Sequence, residues 1–179
     1  MTASLLGTAA PGFDRPLEVL EACHARILKQ CATLEKLRAH LPEHGADAQA
    51  QQAASAILAY FDTAAIHHHD DEERNLLPLL EQAGAPGACE LTELLAHEHD
   101  AQAQLWRRLR QQLEQIAGGT PAELDAALTQ AFVASHRAHL EFENTRVLPL
   151  ARAHLGADAL ERLGRAMAAR RGVPFEGRS

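Results

Sequence analysis

The chain has 179 residues, of which 46% are hydrophobic and only 4% aromatic, and its formal net charge is −7. This length suffices for one domain with a core of its own, and the scarcity of aromatic and β-branched residues favours helices over sheets. The negative charge argues against a nucleic-acid partner, and because no apolar run approaches 18 residues and no charged leader is present, we expect neither a membrane span nor a signal peptide.

Hydrophobic periodicity and helix-breaking residues divide the chain into four long helices and a short fifth. The predicted helices cover residues 16–41, 46–77, 87–117, 120–148 and 157–171. Residues 120–123 read as a capping box at the start of the fourth helix, and Pro78 and Pro149 are expected to kink or end the second and fourth.

Four long helices with short connections predict an all-α fold, an up-and-down antiparallel four-helix bundle with a short additional C-terminal helix. The predicted organisation is an N-terminal extension at residues 1–14, the bundle at residues 15–153, and the C-terminal helix and tail at residues 154–179.

The three cysteines, Cys23, Cys31 and Cys89, are odd in number and form no spacing motif. Reduced thiols are the simplest interpretation of such a set. We therefore expect a cytoplasmic protein.

An internal repeat relates the first two helices to the next two. HHDDEERNLLP, from His68, aligns with HLEFENTRVLP, from His139: each has Glu four residues after the histidine and Pro ten residues after it. Upstream, LEACH ending at His24 aligns with LAHEH ending at His99. The two repeat units span residues 17–83 and 88–153, and the alignment selects His68 from the triplet of adjacent histidines.

Helical phase selects the same residue. His68 shares a helical face with Phe61 and Leu76, whereas His67 shares one with Thr63 and Arg74. Each long helix in this way places one histidine on its apolar face, and two of them add a glutamate one turn later. The candidate metal ligands are His24, His68, Glu72, His99, His139 and Glu143.

Four imidazoles and two carboxylates converging from four helices are suited to a dinuclear metal centre in a bundle core, because carboxylates buried there need a compensating charge. Nitrogen and oxygen donors without thiolate suit iron or manganese, and zinc remains possible.

The other histidines are expected at the surface or at helix ends: His40, His44, His67, His69, His97 and His154. His136 stays open, because it lies one turn before His139 but its repeat counterpart is Ala65. We expect Tyr60 to be a packing residue.

Two sets of charged residues are expected to act outside the centre. Asp70, Asp71 and Glu73 are expected to be solvated, and the alternative is that one of them is a hydrogen-bond partner of His68 or His69. The basic residues of the last helix, Arg170 and Arg171 among them, are expected to complement its own C-terminus.

These residues resemble the hemerythrin-like HHE cation-binding domains, over residues 15 to about 152. The motifs that carry the resemblance are ACH ending at His24, HHDDEE followed by LLP from His68, HEHD around His99, and HLEFE followed by VLP from His139. The family is an up-and-down four-helix bundle with a non-haem di-iron site, and residue-by-residue matching puts all six candidates on its ligand positions.

One departure refines the resemblance. Oxygen-carrying hemerythrins have a second histidine four residues after the first on the third helix, where this chain has Ala103. They also have an aspartate five residues after the histidine of the fourth helix, where this chain instead offers Glu143 at the fourth residue. The set of four His and two Glu is more similar to the repair-of-iron-centres proteins.

The resemblance implies two iron ions with an oxo or hydroxo bridge and an open position for a small diatomic or peroxide ligand. The implied function is binding or sensing of O₂, NO or peroxide, or iron handling, in bacterial oxidative or nitrosative stress. One alternative is a ferritin-like di-iron oxidase or peroxidase, although only Glu21 and His24 match its Glu-x-x-His pattern. Another is a partner-binding bundle with a structural metal. Whether the protein is an enzyme, and whether it has a protein partner, stays open.

Overall fold

The computed structural model describes residues 11–177, and within this range the chain is helical without any strand. The helices form a bundle of four long arms with an additional C-terminal helix, as the sequence predicts. The four arms, numbered in chain order, cover residues 16–44, 48–82, 88–117 and 126–154. The elements in chain order are α1 (Pro16–His44), α2 (Ala48–Phe61), α3 (Ala64–Asp71), the π-helical turn π1 (Glu72–Leu76), α4 (Leu77–Gln82), α5 (Ala88–Ala117), α6 (Ala126–Phe142), the π-helical turn π2 (Glu143–Val147), α7 (Leu148–His154) and α8 (Ala157–Arg170).

The core consists of two apolar clusters with a buried polar layer between them. Leu20 belongs to one cluster and Ile27 to the other, and His24 lies between these two residues on α1. Leu95 and Leu109 flank His99 on α5 in the same way. The apolar side chains on both sides therefore exclude water from the middle of the bundle, where the candidate ligands lie.

Both π-helical turns begin at a candidate glutamate and come shortly before a proline. In π1 the backbone N–H of Leu77 donates to the carbonyl of Glu72, five residues earlier. Pro78 follows at once; it has no N–H, and its ring would clash with the carbonyl four residues before it in a regular α-helix. The wider turn accommodates the proline, and π2 repeats the arrangement before Pro149. The two arms therefore continue to Gln82 and His154 and do not end at 77 and 148.

Three other helix boundaries differ from the prediction. The fourth arm starts at Ala126, because the side chain of Asp125 accepts a hydrogen bond from the N–H of Leu128, and the expected capping box at 120–123 is not helical. The first helix passes Pro42 and ends at Gly45, whose φ of 61° suits glycine. The second arm is interrupted after Phe61.

The last helix is attached to the second arm through a buried carboxylate. Asp71 is fully buried and forms ion pairs with Arg170 and with Arg171, the latter at 2.7 Å. Arg170 also donates to Oδ1 of Asn75 at 2.7 Å. The expectation of a solvated Asp71 is therefore wrong, because sequence phase does not show which arm α8 will cover. Arg171 donates to the carbonyl of Met167 at the end of its own helix, as expected, and both arginines also pair with Asp71.

No helix among the described residues has the length and hydrophobicity of a membrane span.

Candidate metal centre

The six predicted ligands meet in the buried layer between the two apolar clusters. None of them exposes more than 4% of its surface. They come from all four arms: His24 from α1, His68 and Glu72 from the second arm, His99 from α5, and His139 and Glu143 from the fourth arm. The structure therefore brings together residues that are separated by up to 119 positions in the sequence.

The carboxylate of Glu72 lies between two pairs of histidines. Its Oε1 is 3.4 Å from Nε2 of His68 and 3.8 Å from Nε2 of His24. Its other oxygen, Oε2, is 3.6 Å from Nε2 of His99. The two oxygens of one carboxylate thus face different halves of the internal repeat.

Glu143 has the corresponding arrangement. Its Oε2 is 3.3 Å from Nε2 of His24, and its Oε1 is 3.2 Å from Nε2 of His139. The donor atoms fall into two groups that share both glutamates, and within each group they lie within 4.8 Å of one another. One group adds His24 and His68, and the other adds His99 and His139. This geometry suits two neighbouring cations spanned by two carboxylates.

Most of the inward-facing donor atoms have no hydrogen-bond partner in the described chain. These atoms are Nε2 of His24 and of His68, Oε2 of Glu72, and both carboxylate oxygens of Glu143. Buried polar atoms without partners are rare in folded proteins, because their desolvation is not compensated. Coordination to metal ions would supply the missing partners, so this donor set fits a dinuclear metal centre.

Burial in this layer shifts the pKa values of candidate ligands in the direction that favours their neutral forms. Burial raises the pKa of Glu72 well above its usual range, and burial with the nearby Glu72 charge does the same for the pKa of Glu143. Burial also lowers the pKa of His68 well below its usual range and that of His139 to about 3. Neutral imidazoles are the form that binds metals, and a cation would favour the ionised carboxylates.

Two side chains that follow the glutamates orient a histidine of the opposite half. His99 donates from Nδ1 to Oε1 of Glu73 at 2.6 Å, and His24 donates from Nδ1 to Oδ1 of Asn144 at 2.7 Å. Glu73 and Asn144 occupy corresponding positions in the internal repeat. Each hydrogen bond places the proton on Nδ1 and leaves the Nε2 lone pair directed to the centre. Glu73 is exposed, as expected, but it also accepts this hydrogen bond, and the repeat contained the signal that could have identified the Glu73 and Asn144 pair.

A third histidine also donates from Nδ1 to an acceptor, but its counterpart in the other half of the internal repeat does not. His139 donates from Nδ1 to Oε2 of Glu98 at 2.7 Å, whereas Nδ1 of His68 is buried without a partner. The repeat counterpart of Glu98 is Cys23, which cannot replace a carboxylate as an acceptor. The Nε2 atoms of His99 and His139 lie 3.1 Å apart. Since both rings carry their proton on Nδ1, two lone pairs face each other there, which a cation would stabilise.

His69 is not the surface residue that the sequence predicts. Its ring stacks on that of His99, with centroids 4.0 Å apart and planes inclined by 12°. Its donor atom also lies within 4.8 Å of those of His99 and His139. Adjacent residues on a helix diverge by about 100°. Because the second arm has neighbours on two sides, His68 faces α1 and is fully buried, while His69 faces α5 and is half-buried.

His136 is buried, but among the described residues it belongs to none of the sets of His and Glu donor atoms that lie within 4.8 Å of one another. Its Nδ1 donates to the carbonyl of Phe132 at 2.9 Å, and burial lowers its pKa to about 4. The remaining histidines are exposed or half-buried, as predicted: His40, His44, His67, His97 and His154. Tyr60 is half-buried and packs edge-on against Phe61.

The alternative Glu-x-x-His pattern is not assembled at the centre. The carboxylate of Glu21 accepts a hydrogen bond from Arg152 at 2.6 Å and is 43% exposed. It therefore points toward solvent, away from His24. This orientation removes the sequence feature that favoured a ferritin-like site.

Comparison with known proteins agrees with this geometry. The sequence profile of the hemerythrin HHE cation-binding domain matches residues 15–151. A relative from Haemophilus influenzae (strain ATCC 51907 / DSM 11121 / KW20 / Rd), described as an uncharacterized protein, is 32% identical over 161 residues, which cover 90% of this chain and 92% of the relative. The profile match and the buried His/Glu groups together support metal binding.

Proposed function

Because this chain belongs to the hemerythrin HHE cation-binding family, we propose that it is a non-haem di-iron protein that binds a small exogenous ligand. His24 and His68 would hold one ion and His99 and His139 the other, and Glu72 and Glu143 would each offer an oxygen to both. The observation that carries the proposal is the position of each glutamate, with one oxygen facing each histidine pair.

The donor count supports a reactive site over a closed structural one. Each ion would have two imidazole nitrogens and two carboxylate oxygens, which is fewer than the six donors of an octahedral iron site. Iron bound in this way supplies open coordination positions that take O₂, NO or peroxide. Zinc and manganese are compatible with the same donors but differ in redox chemistry.

The chain's own residues prepare the site for such a ligand. The hydrogen bonds that Glu73, Asn144 and Glu98 accept fix the protons of three imidazoles on Nδ1, so these rings need no rearrangement to bind a cation. The apolar clusters on both sides exclude bulk water from the layer. Water exclusion protects a reduced metal and a bound oxidant from side reactions.

We further propose that the protein acts in the cytoplasm, in the response of a bacterium to oxidative or nitrosative stress. Its three cysteines are free, two of them buried and Cys89 exposed, which suits a reducing compartment. A site that binds small oxidants inside a cell can sense them, remove them or handle the iron itself.

The proposal is tested by anaerobic titration of the ferrous protein with NO, followed by optical and paramagnetic resonance spectroscopy. We expect saturable binding with a stoichiometric end point. His68→Ala, which removes a candidate ligand, should lower the amount of NO bound per chain, whereas the matched variant His67→Ala, at a half-buried position outside the centre, should bind as much as the wild type. Protein that carries iron but gives no signal with NO, O₂ or azide would overturn the proposed function.

A further inference from the structure

A small cavity lies beside the candidate metal centre: none of the six candidate ligands lines it, but its wall includes His69, whose ring stacks on that of His99. It has a volume of about 70 Å³ and is lined by three polar residues, His69, Gln102 and His136, among apolar walls that include Phe61 and Phe132. The volume has room for a ligand of a few atoms and is far below that of a site for a drug-sized molecule. Because the ring of His69 stacks on His99, the cavity lies at the His99 and His139 end of the centre.

Gln102 is the unusual residue in this cavity. Its side chain is 2% exposed, and neither its amide nitrogen nor its amide oxygen has a hydrogen-bond partner in the described chain. A buried amide normally has partners, because an unpaired one costs free energy of folding. It follows His99 by three residues, so it lies one turn along the same face of α5. The amide therefore offers an unused donor and an unused acceptor beside a metal ligand.

His136 adds a further acceptor to the same cavity. Its Nδ1 proton is already donated to the carbonyl of Phe132. Its other nitrogen, Nε2, therefore carries a lone pair. It precedes His139 by three residues and thus approaches the same end of the centre from α6.

The other half of the internal repeat has apolar residues at the positions that correspond to these three polar residues. The counterpart of Gln102 in the first half is Ile27, that of His136 is Ala65, and that of His69 is Leu140. All three counterparts are buried and apolar. The two halves thus agree at the six candidate ligands but differ at three positions that line one cavity. Polar side chains replace apolar ones on one side only, which indicates a function specific to that side.

We propose that this cavity, with the Gln102 amide as its anchor, receives the outer atom of the exogenous ligand and selects peroxide-class ligands over O₂ and NO. This inference rests on the proposed function, because it requires an open position on the metal next to His99 and His139. A peroxide has an outer oxygen that both accepts and donates hydrogen bonds, which matches the amide together with Nε2 of His136. O₂ and NO carry neither a proton nor a full negative charge, so they leave the acceptors of the cavity unpaired and are poorer acceptors than an anion for the N–H of the Gln102 amide.

Azide is the probe, because it is a stable anion whose outer nitrogen accepts a hydrogen bond as the outer oxygen of a peroxide does. We expect Gln102→Leu, which keeps the size of the side chain and removes the amide, to weaken azide binding to the ferric protein on the order of tenfold. The loss of affinity should be larger for azide than for NO bound to the ferrous protein. Equal azide affinities of the wild type and the variant would overturn the inference.

Thermal stability separates a binding role from a structural role of the amide. Because the Gln102 amide has no partner in the chain, Gln102→Leu should melt at the same temperature as the wild type or higher, with unchanged iron content. If the variant binds less azide but also loses iron or melts lower, the amide supports the fold and the inference is wrong.

Access to the cavity is tested by filling it from outside. Ala103 is exposed and lines the cavity, so Ala103→Trp should slow azide binding at least several-fold. Its repeat counterpart is Leu28, which is 38% exposed and does not line the cavity. Leu28→Trp is therefore the matched control and should bind azide at the wild-type rate. Equal slowing in both variants would overturn the location.

The two proposals fail in different ways. Wild-type protein with a full complement of iron that binds neither azide nor NO would contradict the proposed function. Wild-type protein that binds azide, together with a Gln102→Leu variant that binds it equally well, would contradict only the inference about the cavity.

Discussion

Glu73 reaches from the second arm to α5 and accepts a hydrogen bond from Nδ1 of His99 at 2.6 Å. This carboxylate follows Glu72 directly, so one segment of chain supplies both a candidate bridging group and the acceptor that orients a histidine of the other half. The π-helical turn that starts at Glu72 brings both side chains into this position. The hydrogen bond of His99 thus ties it to the segment that carries Glu72, the candidate bridging carboxylate.

The first prediction follows from this contact. We expect Glu73→Ala to lower metal affinity about tenfold, because the ring of His99 loses its orienting acceptor. Competition with a chelator of known affinity measures the change. Glu93→Ala, at an exposed position of α5, is the control and should bind metal as the wild type does. Equal affinities of the Glu73 and Glu93 variants would show that the contact contributes nothing.

The second prediction concerns the histidine triplet. His68 has no exposed surface, and its Nε2 lies 3.4 Å from Glu72, whereas His67 belongs to no metal-capable group in the described chain. We expect His68→Ala to lose at least one metal ion per chain and His67→Ala to retain the wild-type content. Elemental analysis after dialysis measures both. Similar losses in the two variants would contradict the assignment.

The third prediction concerns the stability of the metal-free protein. Because burial raises the pKa of Glu72, the native state keeps a proton that the unfolded chain releases above about pH 4.5. The resulting penalty grows as the pH rises through 4.5 toward the raised pKa. Glu72→Gln removes the penalty, so this variant should melt higher than the wild type in chelator at pH 7, with a smaller difference at pH 4.5.

The same substitution should have the opposite effect when metal is present, since an amide is a weaker ligand than a carboxylate. Iron should therefore raise the melting temperature of the wild type more than that of Glu72→Gln. Calorimetry of both proteins, each with iron and with chelator, measures the four values. A variant that is less stable than the wild type in chelator would refute the predicted penalty.

The fourth prediction concerns the attachment of α8. Asp71→Ala leaves Arg170 and Arg171 beside a buried position without their shared carboxylate. Loss of one partner from a buried ion pair costs about 3–5 kcal/mol, and we expect about 2 kcal/mol because both arginines remain partly in contact with water. Urea unfolding gives the difference. Asp70→Ala removes a half-buried carboxylate that lies 3.8 Å from Arg170, and it should cost less than about 1 kcal/mol. Equal costs of the two substitutions would contradict the role of Asp71 in attaching α8.

The sequence was sufficient to predict the bundle and to bring the six candidate ligands together, because the repeat and the 3.6-residue period constrain the same positions. The burial of His24 and His99 could be predicted in this way, since each lies on the apolar face of an uninterrupted helix. The pairing of histidines into two groups could not, because it depends on how the arms pack against one another.

Helical periodicity could not predict the contacts of His69 and Asp71, for a related reason. Phase separates one buried face from one exposed face, but the second arm is covered by α5 on one side and by α8 on another. Residues whose side chains diverge from that of His68 by about a third of a turn can therefore still contact a neighbouring helix. The Glu73 and Asn144 pair, in contrast, occupies matching places in the repeat and was predictable from it.

The most direct test of the dinuclear assignment is the metal stoichiometry of the protein saturated with ferrous iron without oxygen, measured by elemental analysis against quantitative amino-acid analysis. The two donor groups share Glu72 and Glu143 but have separate histidine pairs. The predicted result is two iron ions per chain, with both lost together in Glu143→Ala. A saturated preparation with reproducibly one ion per chain would contradict the dinuclear centre.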